Sequence, residues 1–442
     1  MPTLLGVVFL LVTVTCYLIR PRWLLGLLFL SSLFLASSAF NAGMNGLQPY
    51  YVVAVFFVIA NWRGPVQKGS EADFKGRYIL TAFCVYGVLS AFILPLIFHG
   101  EPVYPREGIE EGFFYRIPLH LGLGNFAQAG FLVVNCLVVR TAATFRATEE
   151  TWRFYKLGFW LLIGLMLVEF LCLSAGVAFP YEVIQNNPGA YEAASLGDFR
   201  LVGTFSEASS AGAMLVFFYA GFLVTFIRSK RLLLLAIISA TALVGTRSTS
   251  GLATAFVVTV LAVVLAPVLR LPWHVRTACL ARTISVAMTT VVMALVATTG
   301  GFAQYTINKN ETGSYLHRTA ADLYALWLAG DSHWVGVGLG SNRPSSLVPS
   351  LLSTLGLTGA LLFFVLLVKI ARNAEGEYGW LRWSILALVI DCAFAVPDIN
   401  LPTLWMALAL AVHSRPRDDS EQYNNVKAQH IDDHRGPSYV YL

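Results

Sequence analysis

The chain has 442 residues, 57% of them hydrophobic and 12% charged, with a formal net charge of +5. Apolar residues run evenly along its length, which excludes a soluble domain on a single anchor and leaves a polytopic membrane protein. The basic residues are spread over many short loops, so the positive balance is no nucleic-acid signal; it fits an inner-membrane protein with basic cytoplasmic loops.

The first apolar stretch, Leu4 to Ile19, ends in Arg20-Pro21-Arg22 and runs straight into another, so it reads as a membrane helix and not a cleavable signal peptide. Further apolar runs begin near Leu24, Leu47, Ile79, Leu121, Leu157, Ser209, Leu232, Leu252, Ile284, Leu351, Leu381 and Leu401. Together they predict an all-α polytopic integral membrane protein of roughly 12–13 transmembrane helices. One transmembrane domain is expected over 1–413, with a disordered cytoplasmic tail over 414–442. The basic gaps (Arg20/Arg22, Arg63–Arg77, Arg140–Lys156, Arg228–Arg231, Arg270–Arg282, Lys369–Arg382) fall in every second gap. That alternation puts the N-terminus outside and the C-terminus inside, with roughly three quarters of the Lys and Arg on the cytoplasmic side. The long outer gaps are Gly100–His120, Pro180–Ser206 and the largest periplasmic loop, 301–349; Gly245–Gly251 is short but polar. Within the largest loop, Leu316, Leu323, Leu326 and Trp327 recur at helical spacing, which predicts a short helix lying on or dipping into the membrane. Pro397-Asp398-Ile399-Asn400 splits the last apolar stretch into two short spans. The six cysteines lie in or beside apolar runs without zinc-ligand spacing, and imply no disulfide framework.

The outer face carries few basic residues: Arg106, Arg116, Arg200, Arg247, Lys309, Arg318 and Arg343. Arg200, Arg247, Arg318 and Arg343 each lie beside a span or a Gly/Ser-rich turn, against the positive-inside bias. Their ordinary role would be headgroup snorkelling, or an ion pair with Asp198, Glu207 or Asp322. Their functional role would be to grip the phosphates of a lipid-linked substrate, at roughly 1.5–3 kcal/mol per charge-assisted contact. Arg200 to Gly212 and Arg318 to Gly330 have the same spacing. Glu207 opens a helix rich in small residues, where a carboxylate is favourable in its own right; the functional reading is a general base or sugar ligand. His333 and His317 flank the Arg318 helix and are further base candidates. Glu169 and Asp391 fall inside apolar spans; such acids are often functional, but these two could equally pair with each other or cap a polar helix contact. No outer loop has the Asp-x-Asp that holds a divalent metal on a sugar nucleotide, and P-loop and dinucleotide fingerprints are missing, so neither cofactor nor metal is expected. Chemistry on this face would draw on polyprenyl-diphosphate-linked glycans already flipped across the membrane.

These motifs resemble the O-antigen ligase and O-antigen/exopolysaccharide polymerase superfamily of bacterial inner-membrane glycosyltransferases. The family's Arg, Gly, Phe, Glu-(Pro)-Ser run is matched by Arg200, Gly203, Phe205, Glu207 and Ser209, with Ala208 where Pro is common. Its Ser/Thr-rich turn is matched by Thr246 to Gly251, with Ser250 in the usual Arg place and Arg247 about one helical turn earlier. Its Arg, Trp-bearing helix and glycine run are matched by Arg318, Trp327 and Gly336 to Ser341; Asn125 and Gln128 look like a polar pair of an earlier polymerase span. Ligases and several polymerases follow the glycine run with His-Asn, whereas this chain has Asn342-Arg343, which points away from a ligase and leaves the base open. The likeness covers roughly residues 120–412. It implies a metal-independent polysaccharide polymerase of the bacterial inner membrane. Its substrate would be an undecaprenyl-diphosphate-linked oligosaccharide, its surroundings membrane lipids, and its partners a chain-length regulator and export machinery. Arg200, Arg247, Arg318 and Arg343 would hold the diphosphate, with Glu207, then His333 and His317, as base. An O-antigen ligase using lipid A core and a lipid-linked oligosaccharide flippase are the alternatives.

Overall fold

The computed structural model describes residues 1–43, 45–62, 74–104, 115–144, 150–188, 200–229, 231–265, 313–374 and 376–414. The predicted span near Ile284, the basic gap Arg270–Arg282, Arg106, Asp198, Lys309, the side chain of His317 and the tail beyond Ser414 lie outside the described residues.

Among the described residues the helices are α1 (Leu4–Ile19), α2 (Trp23–Ser31), α3 (Pro49–Trp62), α4 (Arg77–Ile97), α5 (Leu123–Ala142), α6 (Glu150–Ser174), α7 (Tyr181–Ile184), α8 (Ala208–Ser229), α9 (Leu233–Thr246), α10 (Thr249–Leu265), α11 (Gly313–Asp331), α12 (Leu347–Ala371), α13 (Trp380–Ala395) and α14 (Pro402–His413). The only strands among the described residues form two small antiparallel hairpins, β1 (Phe40–Ala42) with β2 (Asn45–Leu47) and β3 (Pro102–Val103) with β4 (Ile117–Pro118). The described residues are thus mostly helical, as an all-α protein requires. Among the described residues, five helices, α4, α5, α6, α8 and α12, are long and apolar enough to cross a membrane.

Several apolar runs make shorter helices than a span needs. The run from Leu24 yields only α2, nine residues, or about 14 Å of helix against a hydrocarbon core of about 30 Å. At its end Ser31 Oγ donates to the Leu28 carbonyl and Ser32 Oγ to that of Phe29, and the chain leaves the helix through turns closed by Leu33 N–H on Leu30 O and Phe34 N–H on Ser31 O. The buried segment after α2 receives the loop before α8, with Ala36 N–H donating to Thr204 O and Thr204 Oγ1 donating to Leu33 O.

Burial separates centre from periphery. In α8, 89% of the apolar window is buried, against 28% in α6. All of α14 is buried as well. On the outside, Leu167, Val168 and Leu171 of α6 and Leu361, Val365 and Val368 of α12 face outward, an apolar perimeter suited to lipid. The predicted loop helix forms as α11, and its Leu316, Leu323 and Trp327 are exposed while Ala325, Leu328 and Ala329 are buried. The acids Glu169 and Asp391 do not pair. Asp391 accepts from Thr254 Oγ1 of α10 at 3.3 Å, a polar helix contact, and Glu169 holds a loop.

Candidate functional site

One end of the bundle gathers the N-terminal ends of α5, α8, α10 and α12, the C-terminal ends of α9 and α13, and α11. The loop from Arg200 to Glu207 is built into it by its backbone. Glu169, buried in α6, accepts from Val202 N–H at 3.0 Å, from Gly203 N–H at 2.7 Å and from Tyr181 Oη at 2.7 Å. Gln185 Nε2 donates to Gly203 O and Phe205 O, and Leu201 N–H donates to Gly245 O at the end of α9. A buried carboxylate is costly unless its oxygens are filled, and here loop amides and a phenol fill them. The loop is therefore a fixed support for the entry to α8, and Arg200, half-buried, stands at its start.

Glu207 lies at the other end of that support, just before α8. Its Oε2 accepts from Arg318 Nη2 at 2.6 Å and from Ser209 Oγ at 2.9 Å. Both partners keep solvent access, with Arg318 42% and Glu207 28% exposed. Burial alone would raise the Glu207 carboxyl, but the charge and hydrogen bond of Arg318, the hydrogen bond of Ser209 and the charge of Arg343 outweigh it and hold the group below the usual glutamate range. Arg318 is placed by α11, which is clamped to α12: Asp322 accepts from Ser345 N–H at 2.7 Å, from Ser346 N–H at 3.1 Å and from Ser346 Oγ at 2.6 Å. These bonds fill orphan donors at the α12 N-terminus and put a carboxylate at its positive end.

Of the other sequence candidates, Arg343 alone is shown to act on this pair. Arg343 lies between the glycine run and α12, its backbone N–H donating to Tyr104 O at 3.2 Å. Arg247 is the left-handed C-cap of α9 (φ 52°) and begins the turn into α10. That turn packs on α8, where Ser248 and Gly251 lie so close to Gly212 that a Cβ there would meet Ser248 Oγ at 2.7 Å. His317 precedes Arg318 on α11. His333 does not join the pair: it lies exposed past the far end of α11, about 20 Å of helix from Arg318.

The glycine run docks three helices together. Gly336, Gly338 and Gly340 all have positive φ (83°, 106° and 87°). A Cβ on Gly336 would meet Gly356 N of α12 at 2.6 Å, one on Gly338 would meet Pro95 Cδ of α4 at 2.7 Å, and one on Gly340 would meet Gly124 O of α5 at 2.8 Å. Each glycine thus seats the run on a different helix. Facing it, α12 is broken at Gly356 (φ 66°, ψ −172°). The break frees backbone groups, and the run satisfies them: Val337 N–H donates to Ser353 O, Gly338 N–H to Thr354 O, and Leu357 N–H to Trp334 O. Asn125 adds bonds from its Nδ2 to Leu339 O and Ser341 Oγ, both 2.9 Å.

Residues that sequence reasoning missed are mostly supports: Gln185, the clamp made by Asp322, and Asn400. Asn400 joins α5 to the break between α13 and α14 through Gln128. Its only sequence signal is a polar group next to Pro397 in an apolar stretch. No family model and no curated protein matches this chain.

Proposed function

We propose that the chain is a polymerase of a bacterial surface or secreted polysaccharide, transferring a glycan from polyprenyl diphosphate to a hydroxyl of a lipid-linked repeat unit at the periplasmic face of the inner membrane. The reading is carried by the contact between Glu207 and Arg318 at one end of an apolar bundle, with Arg343 acting on the same carboxylate. In this arrangement Arg318 neutralises Glu207. A diphosphate offers more charge and more acceptor oxygens than one carboxylate, so it draws the guanidinium to itself. Glu207 is then left ionised and unneutralised, the state a general base needs. The acceptor oxygen bonds to the anomeric carbon as its proton passes to Glu207. The anomeric C–O bond to the diphosphate breaks, and its electron pair leaves on the polyprenyl diphosphate, held by Arg318, Arg343, Arg247 and Arg200. The leaving group is good enough that the reading requires no divalent ion.

Asn342 bears on the ligase alternative. Its Oδ1 accepts from Tyr104 N–H at 3.0 Å and its Nδ2 donates to Ser353 Oγ at 3.1 Å, so it is occupied in structure at the place where ligases carry His-Asn. A flippase is favoured by a different observation, the acid Asp391 buried within α13, since acids inside a bundle often mark transport paths. Glycan length in cells separates these readings. Loss of a polymerase leaves single repeats at the surface, loss of a flippase leaves none, and loss of a ligase leaves full-length polymer still on its lipid carrier. With purified protein, transfer from a polyprenyl-diphosphate donor should proceed in EDTA; activity that disappears in EDTA and returns with Mg²⁺ would overturn the metal-free step.

A further inference from the structure

The second half of α11 and the glycine run after it fold back along α12. Asp322 binds Ser345 and Ser346 at the start of α12. Further along, at the Gly356 break, Leu357 N–H donates to Trp334 O. The run then returns: Val337 and Gly338 N–H donate to Ser353 O and Thr354 O, and Asn342 Nδ2 donates to Ser353 Oγ.

The neighbouring helices give the depth of this hairpin. Lys369 stands in the last turn of α12, on the side that the basic gaps make cytoplasmic. Gly356 is thirteen residues before it, about 20 Å of helix. The hydrocarbon core is about 30 Å thick, so the Trp334 turn lies about 10 Å inside its outer boundary. The rest of α11 lies near that boundary. Arg318 meets Glu207 just before α8, a helix of 22 residues or about 33 Å. Leu328 belongs to the apolar cluster on which Phe98 packs, and Phe98 caps α4, 21 residues or about 31 Å long. One turn from Leu328, Trp327 stacks on Tyr324 at 5.4 Å, and the Arg116 guanidinium lies 4.5 Å over the Tyr324 ring. Aromatic and cationic side chains of this kind mark a membrane–water interface.

The surface of the hairpin matches that placement. Leu316, Leu323 and Trp327 recur along one face of α11, each more than half exposed, and helical spacing puts Arg318 on the opposite face, toward α8. Trp334 and Val335 continue the exposed stripe, and Leu357 and Leu361 carry it into the lipid-facing perimeter of α12. The irregular backbone is buried from Gly336 to Leu339, and its amides bond to carbonyls freed by the α12 break. Non-helical backbone is tolerated at membrane depth only when it is enclosed in this way. Ser332 is buried, its Oγ donating to Ala329 O. Asp331 leans back toward the boundary, because helical side chains tilt to the N-terminus. His333 is exposed at the tip, a cost set against the apolar surface of Trp334, Val335 and Leu357 beside it.

We propose that α11 and the glycine run form a re-entrant hairpin that enters the outer leaflet obliquely, with Trp334 at its tip and the stripe from Leu323 to Val335 against acyl chains. The insertion rests on no reading of the reaction. Its use does rest on the polymerase reading: α11 is then the wall between the bilayer and the Glu207–Arg318 pair, and a lipid-linked substrate reaches Arg318 without leaving the leaflet.

The test uses full-length protein in phosphatidylethanolamine/phosphatidylglycerol vesicles. Leu316→Cys, Trp327→Cys and Val335→Cys, each in a background without other reactive thiols, carry a nitroxide whose depth is read by power saturation with oxygen and a water-soluble nickel chelate. Glu182→Cys is the aqueous reference and Leu361→Cys the lipid reference. Leu316 should be the most open to nickel, Trp327 should lie at the boundary, and Val335 should resemble Leu361. Nickel access at Val335 equal to that at Glu182 would overturn the proposal. So would equal shallow depth at Trp327 and Val335, the pattern of a helix lying on the membrane. If the cysteine variants fail to fold, wild-type protein photolabelled in vesicles by a membrane-confined diazirine should carry label within 323–335 as well as 357–368. Label on 357–368 alone would equally sink it. Insertion without any polyprenyl diphosphate binding would leave the hairpin standing and remove the polymerase reading.

Discussion

Arg318 Nη2 donates to Glu207 Oε2 at 2.6 Å, joining two segments 111 residues apart in the chain. The contact assigns two sequence candidates, one read as a base and one as a phosphate ligand, to a single unit. It also makes their variants distinguishable. Glu207→Gln should keep lipid-linked substrate binding and lose turnover by roughly 10²–10⁴-fold. Arg318→Ala should lose substrate binding as well, and Arg318→Lys should rescue poorly, because a point charge lacks the guanidinium fork. Binding of polyprenyl diphosphate and polymer length, measured at equal membrane levels of each variant, check these outcomes. Full activity in Glu207→Gln would move the base to His317, the histidine adjacent to Arg318.

The same pair sets a pH dependence. The Glu207 carboxyl lies below its usual range in the folded protein, so its folded value is depressed relative to the unfolded one. A depressed carboxyl contributes stability above the unfolded value, about 4.3, and loses it as pH falls through the folded value. Wild type and Glu207→Gln should therefore differ by a constant amount in thermal stability at neutral pH. The gap should close under acid conditions below that range. A gap that widened in acid would contradict the assignment.

How much of this could be read from sequence differs by element. Hydropathy located nearly all the helices, because burial in lipid demands apolar runs whatever the partner. It failed on the length of α2, which gives way after Ser31 to turns that hydropathy does not register. The arginines and Glu207 stood out because charge is rare on an apolar chain. Their grouping did not, since α11 reaches Glu207 only through tertiary packing, and spacing alone could not separate His333 from Arg318. The glycine run was visible as a motif but not as a contact. Positive φ marks where a side chain is excluded, and which of α4, α5 or α12 does the excluding lies outside local sequence.

That contact predicts a stability effect without a direct role in chemistry. At Gly356 a Cβ would press on the Trp334 carbonyl, and the backbone lies where L-residues are strained. Gly356→Ala should destabilise by roughly 1–3 kcal/mol from backbone strain alone, before the clash is counted. Gly130→Ala, on α5 with open space around its Cβ position, should be neutral or slightly stabilising, because alanine favours helix. Thermal unfolding in detergent compares them; equal midpoints would remove the docking role of the run.

The alternation of basic gaps predicts a topology that is testable at an exposed site. Asn186 is a poor place for a probe, because its Oδ1 accepts from Ser38 N–H at 2.7 Å. Glu182, exposed on α7, is better. Glu182→Cys in a background without other reactive thiols should label with a membrane-impermeant maleimide from the periplasm, and Arg372→Cys, exposed at the end of α12, only after the inner membrane is opened. The reverse pattern would invert the whole arrangement.

Glu169 separates support from chemistry. Its hydrogen bonds hold the Val202 and Gly203 amides and Tyr181 Oη. In Glu169→Gln, one side-chain oxygen becomes an NH₂ that faces donors. In Glu169→Ala, buried donors are left without an acceptor, at a cost of about 1–3 kcal/mol for each group. Both variants should lower thermal stability, Ala more than Gln, and both should shorten polymer by misplacing Glu207. Glu207→Gln should instead lose turnover with little loss of stability, on the order of 0.3–1 kcal/mol if its helix-terminus contribution is all that goes. If Glu169→Ala kept wild-type stability while abolishing transfer, the carboxylate would belong to the reaction and not to the loop that carries it.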